Sequence, residues 1–592
     1  MCGIAGIVRY DAPGEVSETR VRAMQACLRH RGPDGQGLYV GSSVALAHTR
    51  LALIDPQGGA QPMTSPDGRY TIVYNGEVYN YRDLRHELRN EWSFQSDSDT
   101  EVVLAAYVVW GEQCLARLNG MFALFIWDER RREGFAARDL LGVKPLALKQ
   151  NDKMLIFASE AKAIVTTEPY APRPHVEALV EYFVAPYFSG VEHSMFDGVE
   201  YLQPGHAMRY SQAGMRIWQW GDYDLLQAAH SDEESLIAEL RRRLVQAIER
   251  SLIADVPLGT FLSGGLDSTL ITAVASSASS TELDTFTIRF EDQDRYDYQR
   301  SLIVKSDDTP FAVAAAKEIG VGNTIVPVQR ADLLEDLCAV ARINDALPAW
   351  EQEFAQHHLA KSAGAKYKGV LVGDAADETH YGYHFLLDEE ATRSPTALLE
   401  RFGTSPVRRD VLGDPITHLA AKYRRLAEEA GHRWGSPTDR ILAITYLIIK
   451  RWLPRLLHNG DIHSMAFSLE GRVPMADVEL LDLARRIDPQ LAYRDGLEKR
   501  LLREAARGLM PDAPRRRLKS ALPKDQSVAA LYQQAAVEAL DNSREFLGAF
   551  LVLGRIRSLC DPRRALDEFE RSLLFRVIAV SHWQQAYGVG RP

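Results

Sequence analysis

Met1-Cys2-Gly3-Ile4-Ala5-Gly6-Ile7 opens the chain, and its reading governs the first half of the fold. Cys2 is small enough for Met1 to be removed ahead of it, so Cys2 is the expected mature N-terminus. Its thiol and free α-amine then share one residue. An α-amine titrates at about 8 and serves as the thiol's own general base, directly or through one water. Ile4 to Arg9 reads as a strand, so the candidate nucleophile stands at the head of a sheet. Further strands are expected at Val44 to Ala47, Arg69 to Asn75, Met121 to Trp127 and Met154 to Ser159, with helices over 17–30 and 99–110. Short strands with helices between them fit sheets sandwiched inside helical layers.

Around this core lie Arg29-His30-Arg31-Gly32-Pro33-Asp34, Ala47-His48-Thr49-Arg50-Leu51, Tyr74-Asn75-Gly76-Glu77-Val78 and Gln95-Ser96-Asp97-Ser98-Asp99. Taken singly, Asn75-Gly76 is a hairpin turn, Arg50 a surface charge and Asp99 a helix N-cap. In this order behind Cys2 they resemble the class II glutamine amidotransferases, the N-terminal-nucleophile glutaminases. The resemblance implies that Arg50, Asn75, Glu77 and Asp99, on loops after the early strands, bind glutamine. Physically, the Asn75 amide and Gly76 N–H suit an oxyanion hole. Arg50 suits the glutamine α-carboxylate, and Asp99 with Glu77 suits its α-ammonium.

At 592 residues the chain exceeds one core. The formal charge of −11 argues against a broad nucleic-acid surface. The basic runs at 130–132 and 241–243 read as solvated faces. Five scattered cysteines show neither disulfide framework nor metal spacing. No apolar run of membrane length and no signal peptide is present, and a free catalytic thiol suits the cytoplasm. The polar stretch over 212–233 marks the expected boundary, with domains at 2–215 and 233–590.

Beyond it the pattern alternates. Leu236, Leu240, Leu244 and Ile248 form a helical stripe. Strands are expected at Val256 to Leu262, Leu283 to Phe290 and Gly369 to Val372, and helices at Thr269 to Ala278 and Phe311 to Ile319. That alternation indicates a parallel α/β sheet, followed by a mostly helical remainder. Ser263-Gly264-Gly265-Leu266-Asp267-Ser268 falls between a strand and a helix, where its N–H groups form an anion nest. Alone it is an ordinary Gly/Ser turn, and it lacks the Lys-Ser/Thr of a Walker A loop.

This loop looks like the pyrophosphate loop of ATP pyrophosphatases. Val372-Gly373-Asp374-Ala375-Ala376-Asp377-Glu378 resembles a segment of the glutamine-hydrolysing asparagine synthetases, as do Glu470-Gly471-Arg472-Val473-Pro474, Lys499-x-x-Leu502-Arg503 and Arg516-Arg517-Leu518-Lys519. The family resemblance spans residue 2 to about 585. It implies an αββα sandwich followed by an ATP-pyrophosphatase α/β domain. Leu262, Ser263, Gly264, Gly265, Ser268, Ile288, Val372 and Gly373 would hold ATP, and Asp267 with Asp377 would hold Mg²⁺. Lys519, otherwise a solvated basic run, would steady charge at an adenylate, and Asp374 would help deprotonate ammonia.

The implied reaction is glutamine-dependent, ATP-driven amidation of a carboxylate, aspartate first, with a tunnel between sites. Its partners are small molecules, without nucleic acid or membrane, and a homodimer is compatible with it. Asp374 replaces the family's Glu, and Val372 and Ala375 replace Ser and Gly. The segment 344–354 carries Trp350, Glu351 and Glu353 where small hydroxyl residues are usual. A carboxylate there would favour a cationic acceptor. The same chemistry on another carboxylic acid therefore stays open, as does an intramolecular ligase of β-lactam synthetase or lasso-cyclase type. A plain glutaminase, or a regulatory binding protein, with a dead second domain is the remaining class. The stretch 292–308 reads as a flexible loop or lid.

Overall fold

The computed structural model describes residues 2–10, 17–151, 153–225, 232–291, 293, 306–343, 347–349, 352–400, 405–520 and 528–591. Two antiparallel sheets build the first half. One has the order β10-β8-β9-β1-β3-β2, from β1 (Gly3–Arg9), β2 (Gly35–Val40), β3 (Val44–Arg50), β8 (Ala147–Asn151), β9 (Met154–Ala158) and β10 (Glu200–Tyr201). The other has the order β12-β11-β7-β6-β5-β4, from β4 (Met63–Thr64), β5 (Tyr70–Val78), β6 (Gly120–Asp128), β7 (Glu133–Arg138), β11 (His206–Ser211) and β12 (Gly214–Gln219).

Alternate residues of both sheets meet in one core. Ile4, Val8, Val44 and Leu46 face Val73, Ala123, Phe125 and Trp127, with Phe125 stacked on Phe157 at 4.3 Å. The opposite faces carry helices. Glu18–Cys27 packs on β1 and β3, and Tyr81–Leu88 and Asp99–Trp110 cover β5 and β6. The expected αββα sandwich is therefore present.

Two expectations change here. Helix 17–30 stops at Cys27 and continues as a tight turn over Arg29–Arg31. The first domain does not stop at 215, because Ser211-Gln212-Ala213-Gly214 is a hairpin turn and β12 pairs with β11 through Gln219. Of the polar boundary stretch, 226–231 lies outside the described residues, as does most of the expected lid at 292–308.

The helix Glu233–Ser251 opens the second half. Its sheet is fully parallel, with order β15-β14-β13-β16-β17, from β13 (Leu258–Phe261), β14 (Asp284–Phe290), β15 (Gly322–Val328), β16 (Gly369–Leu371) and β17 (Glu470–Arg472). Pro257 delays β13 relative to its expected start, since proline gives no ladder donor. The order in which strands are added reverses at β13, which pairs with β14 on one side and β16 on the other. The carboxyl ends of two such strands at a switch point form the ligand crevice of open α/β sheets. The described remainder is helical and ends in Glu568–Tyr587. Among the described residues, no helix is long and apolar enough to cross a membrane.

Candidate active sites

In the first half, the pairing of Gly3 with Thr49 sets Cys2 beside Arg50. Cys2 is buried at 8% exposure, and its backbone N donates to Asn75 Oδ1 at 3.0 Å. Burial pushes the thiol up, while the Leu51 N–H and the Arg50 charge draw it down. A thiol held protonated needs an adjacent base, and the residue's own backbone N is oriented by Asn75.

Asn75, Gly76 and Glu77 do not lie on a loop, as expected, but inside β5, which pairs with β6 through Val78. Tyr74 N donates to Gln61 Oε1 and Val78 N to Asp99 Oδ2, both on the edge away from β6. Strand alternation puts the Gly76 N–H on that same edge. A Cβ at Gly76 would sit 2.3 Å from Met121 O, so only glycine lets β6 approach this closely. Asn75 Nδ2 is buried without a hydrogen-bond partner. A buried unpaired donor costs about 1–3 kcal/mol, which an incoming oxyanion would recover.

The outer residues are arranged less simply. The Arg50 guanidinium donates to Pro56 O and Asp55 O at 2.7 and 2.6 Å. Asp99, first in its helix, accepts from the Tyr74 hydroxyl at 2.9 Å. Glu77 turns away from the helix layer, with Oε2 3.4 Å from Arg472 of β17, and burial with Glu470 nearby raises its carboxyl well above the ordinary range. Arg31 carried no role in the sequence reading. Wholly buried, it donates to Cys2 O at 3.1 Å and pairs with Glu160 at 2.8 Å and Asp461 at 2.7 Å.

The second site lies at the β13/β16 switch point. Gly264 has φ of 70° and a Cβ there would meet Ala312 N at 2.4 Å, so the loop requires glycine twice over. Ser268 Oγ accepts from Ser263 N at 3.1 Å and closes the loop. Gly373 faces Asp267 and Ser268 across the crevice, with Leu262, Ile288 and Val372 buried around it. Ala375 has φ of 71°, a left-handed backbone costing about 1–2 kcal/mol with a side chain, which accounts for the glycine usual there.

Asp267 Oδ2 accepts from Lys499 Nζ at 2.5 Å, and the same Nζ lies 2.6 Å from Asp377 Oδ1. Lys519 Nζ bonds the other oxygen of Asp377. Burial alone would raise Asp377, but Lys499 and Lys519 draw it down to about 2. Asp267 Oδ1 is buried without a hydrogen-bond partner. An open carboxylate oxygen beside a second aspartate and a phosphate-binding loop suits Mg²⁺, which takes few carboxylates plus phosphate oxygens. Asp374 is raised to about 6 by desolvation and by Asp377, against Lys519.

In the departing segment, Asn344, Trp350 and Glu351 lie outside the described residues. Glu353 does not offer a free carboxylate to an acceptor. Its Oε1 accepts from Ala349 N at 2.6 Å, with Arg455 at 3.9 Å and His463 at 3.5 Å.

A nucleophile-headed αββα sandwich joined to a phosphate-loop α/β unit defines a ligase with a glutamine amidotransferase half. Residues 1–221 match the glutamine amidotransferase domain and residues 239–585 match asparagine synthase. The chain belongs to the asparagine synthase family. It is 33% identical over 540 residues to asparagine synthetase [glutamine-hydrolyzing] 3 of Bacillus subtilis, covering 88% of this chain and 87% of that protein. Asparagine synthetase B [glutamine-hydrolyzing] of Escherichia coli is 27% identical, covering 86% of this chain and 80% of its own.

Asp374 gives a pH test. Its folded-state acidity near 6 lies above the ordinary 3.8, so its charge opposes folding above pH 6 and that penalty disappears as pH falls towards 4. Asp374→Asn should therefore raise stability by about 1–2 kcal/mol at pH 7.5, allowing for solvent screening, and by nothing near pH 4. Thermal melts across pH 4–8 check this; an offset constant with pH would contradict it.

Proposed function

We propose that this chain amidates a carboxylic acid, using ATP to activate the acid and glutamine to supply the nitrogen. The observation that supports it best is the helix Leu453–Met465. Its Asp461 holds Arg31, which holds Cys2 O, while a Cβ on the adjacent Gly460 would lie 3.5 Å from Asp374 Oδ2. One turn of one helix touches both candidate sites.

In the first site the Cys2 α-amine accepts the thiol proton and Sγ attacks the glutamine amide carbon. Asn75 Nδ2 and the Gly76 N–H receive the negative oxygen. The Cys2 α-ammonium returns its proton to the leaving nitrogen as the intermediate collapses, ammonia departs, and water cleaves the remaining thioester to glutamate. In the second site the acceptor's carboxylate oxygen attacks the α-phosphorus of ATP and pyrophosphate leaves. Lys519 balances the charge that develops there. Ammonia then attacks the acyl carbon, Asp374 accepts a proton, and AMP departs. Asp267 and Asp377 would hold Mg²⁺, whose charge would offset that of the phosphates.

Aspartate is the acceptor we assign first, from the relatives' names. A second reading, a different carboxylic acid, follows from the sequence departures at Asp374 and in the segment 344–354. Tyr383 donates its hydroxyl to Glu378 and stacks on Trp452 at 5.1 Å, and Tyr187 of the first half stacks on the same ring at 4.2 Å. Trp452 ends a π-helical stretch over Ile448–Trp452, a distortion common at functional sites.

Pyrophosphate release with ATP, Mg²⁺ and ammonium, measured over aspartate and a panel of other carboxylic acids, decides between the two. Aspartate-dependent release with asparagine formed would establish the first reading; release only with another acid would establish the second. Release with none would overturn the proposal. Cys2→Ala should abolish glutamine-dependent synthesis and keep the ammonium-dependent rate. Asp267→Ala should lower pyrophosphate release by at least about 100-fold, equivalent to roughly 2.7 kcal/mol, while glutamate release from glutamine persists.

A further inference from the structure

Lys499 takes no part in either half-reaction above, yet its placement is demanding. It has φ of 53° and ψ of 32°, left-handed for a residue with a Cβ. Its side chain is 2% exposed, and its Nζ lies 2.5 Å from Asp267 and 2.6 Å from Asp377. A Cβ at Gly382 would come within 2.5 Å of Lys499 Cε, so glycine there clears the path of this side chain. The ammonium is thus the shared counter-ion of the two carboxylates assigned to the metal.

The Lys499 ammonium fills the space between the oxygens that would hold the metal. Asp267 and Asp377 balance Lys499 and Lys519, and Asp374 and Glu378 add further negative charge nearby. A bare divalent cation would still have to displace the Lys499 ammonium or face it at contact distance, a repulsion weakly screened away from water. Nucleotide phosphates offset that repulsion, because they bring several negative oxygens with the metal.

We propose that Lys499 is a built-in counter-ion that joins Asp267 to Asp377 and keeps free divalent cations out, so that the metal enters only together with nucleotide phosphates. This rests on the reading that the two aspartates hold the metal. It makes the order of binding a property of the chain: nucleotide and metal arrive as one ligand.

The test is Mn²⁺ binding to the full-length chain, read by the electron paramagnetic resonance of the free ion, with and without α,β-methylene-ATP. Wild type should bind Mn²⁺ at an Asp267→Asn-sensitive site only when the nucleotide analogue is present. Lys499→Met should bind Mn²⁺ without the analogue at least about tenfold more tightly than wild type. An Asp267→Asn-sensitive site filled in wild type without nucleotide overturns the proposal, and this measurement stands even if Lys499→Met does not fold. Lys499→Arg, which keeps the charge, should still exclude the free ion. If no Asp267→Asn-sensitive site appears even with the analogue, the metal assignment itself fails and takes the proposal with it.

Discussion

Arg31 is the contact on which the arrangement turns. Its guanidinium is fully enclosed, with one arm on the nucleophile's own carbonyl, one on Glu160 and one on Asp461, 430 positions further along the chain. Such a group has no alternative partner in water once the halves are joined. Removing one member of a buried pair typically costs about 3–5 kcal/mol, because the other charge is left uncompensated. The cluster therefore fixes how the halves meet more than how stable either half is. Lys368 on Asp34, at 2.7 Å, and Asn119 on Asp477, at 2.9 Å, repeat the theme along the seam. For the proposed pair of reactions, which would pass ammonia from one half to the other, a fixed relative position is a chemical requirement.

The two halves prepare their sites differently. The sandwich uses strand edges: β1 delivers Cys2, β3 delivers Arg50, and the free edge of β5 offers N–H groups at alternate residues. The parallel sheet uses strand ends, where β13 and β16 release their loops side by side and let glycine backbones touch. In the first case the unsatisfied groups are donors, Asn75 Nδ2 above all. In the second they are acceptors, with lysines set against them.

Much of this was legible from residue order. Cys2 and Asn75 meet as their motifs implied, and the phosphate loop and the Asp374–Asp377 turn converge where a strand–loop–helix reading put them. The failures share a cause: partners distant in sequence. Asn75-Gly76 has the composition of a turn, but pairing with β6 carries it through as strand. Ser211 to Gly214 has the composition of a linker, but the residues beyond it return to the same sheet. Glu353 looked like a free carboxylate because nothing nearby in sequence shows that Arg455 and His463 enclose it. Glu77 was matched to a ligand role with no sign that Arg472 would face it. Arg31 lies in a segment that carries the family resemblance, but nothing near it in sequence shows that it would pair with Asp461.

The enclosure of Cys2 has a practical side. Its backbone nitrogen sits inside the protein against Asn75, so residues added ahead of it would have to thread through space the first substrate needs. Under the proposed chemistry, a purification handle at the front of the gene, even one that leaves a short scar after cleavage, would silence glutamine use while ammonium-dependent synthesis continued. Recombinant material prepared that way would give a false picture of its nitrogen source.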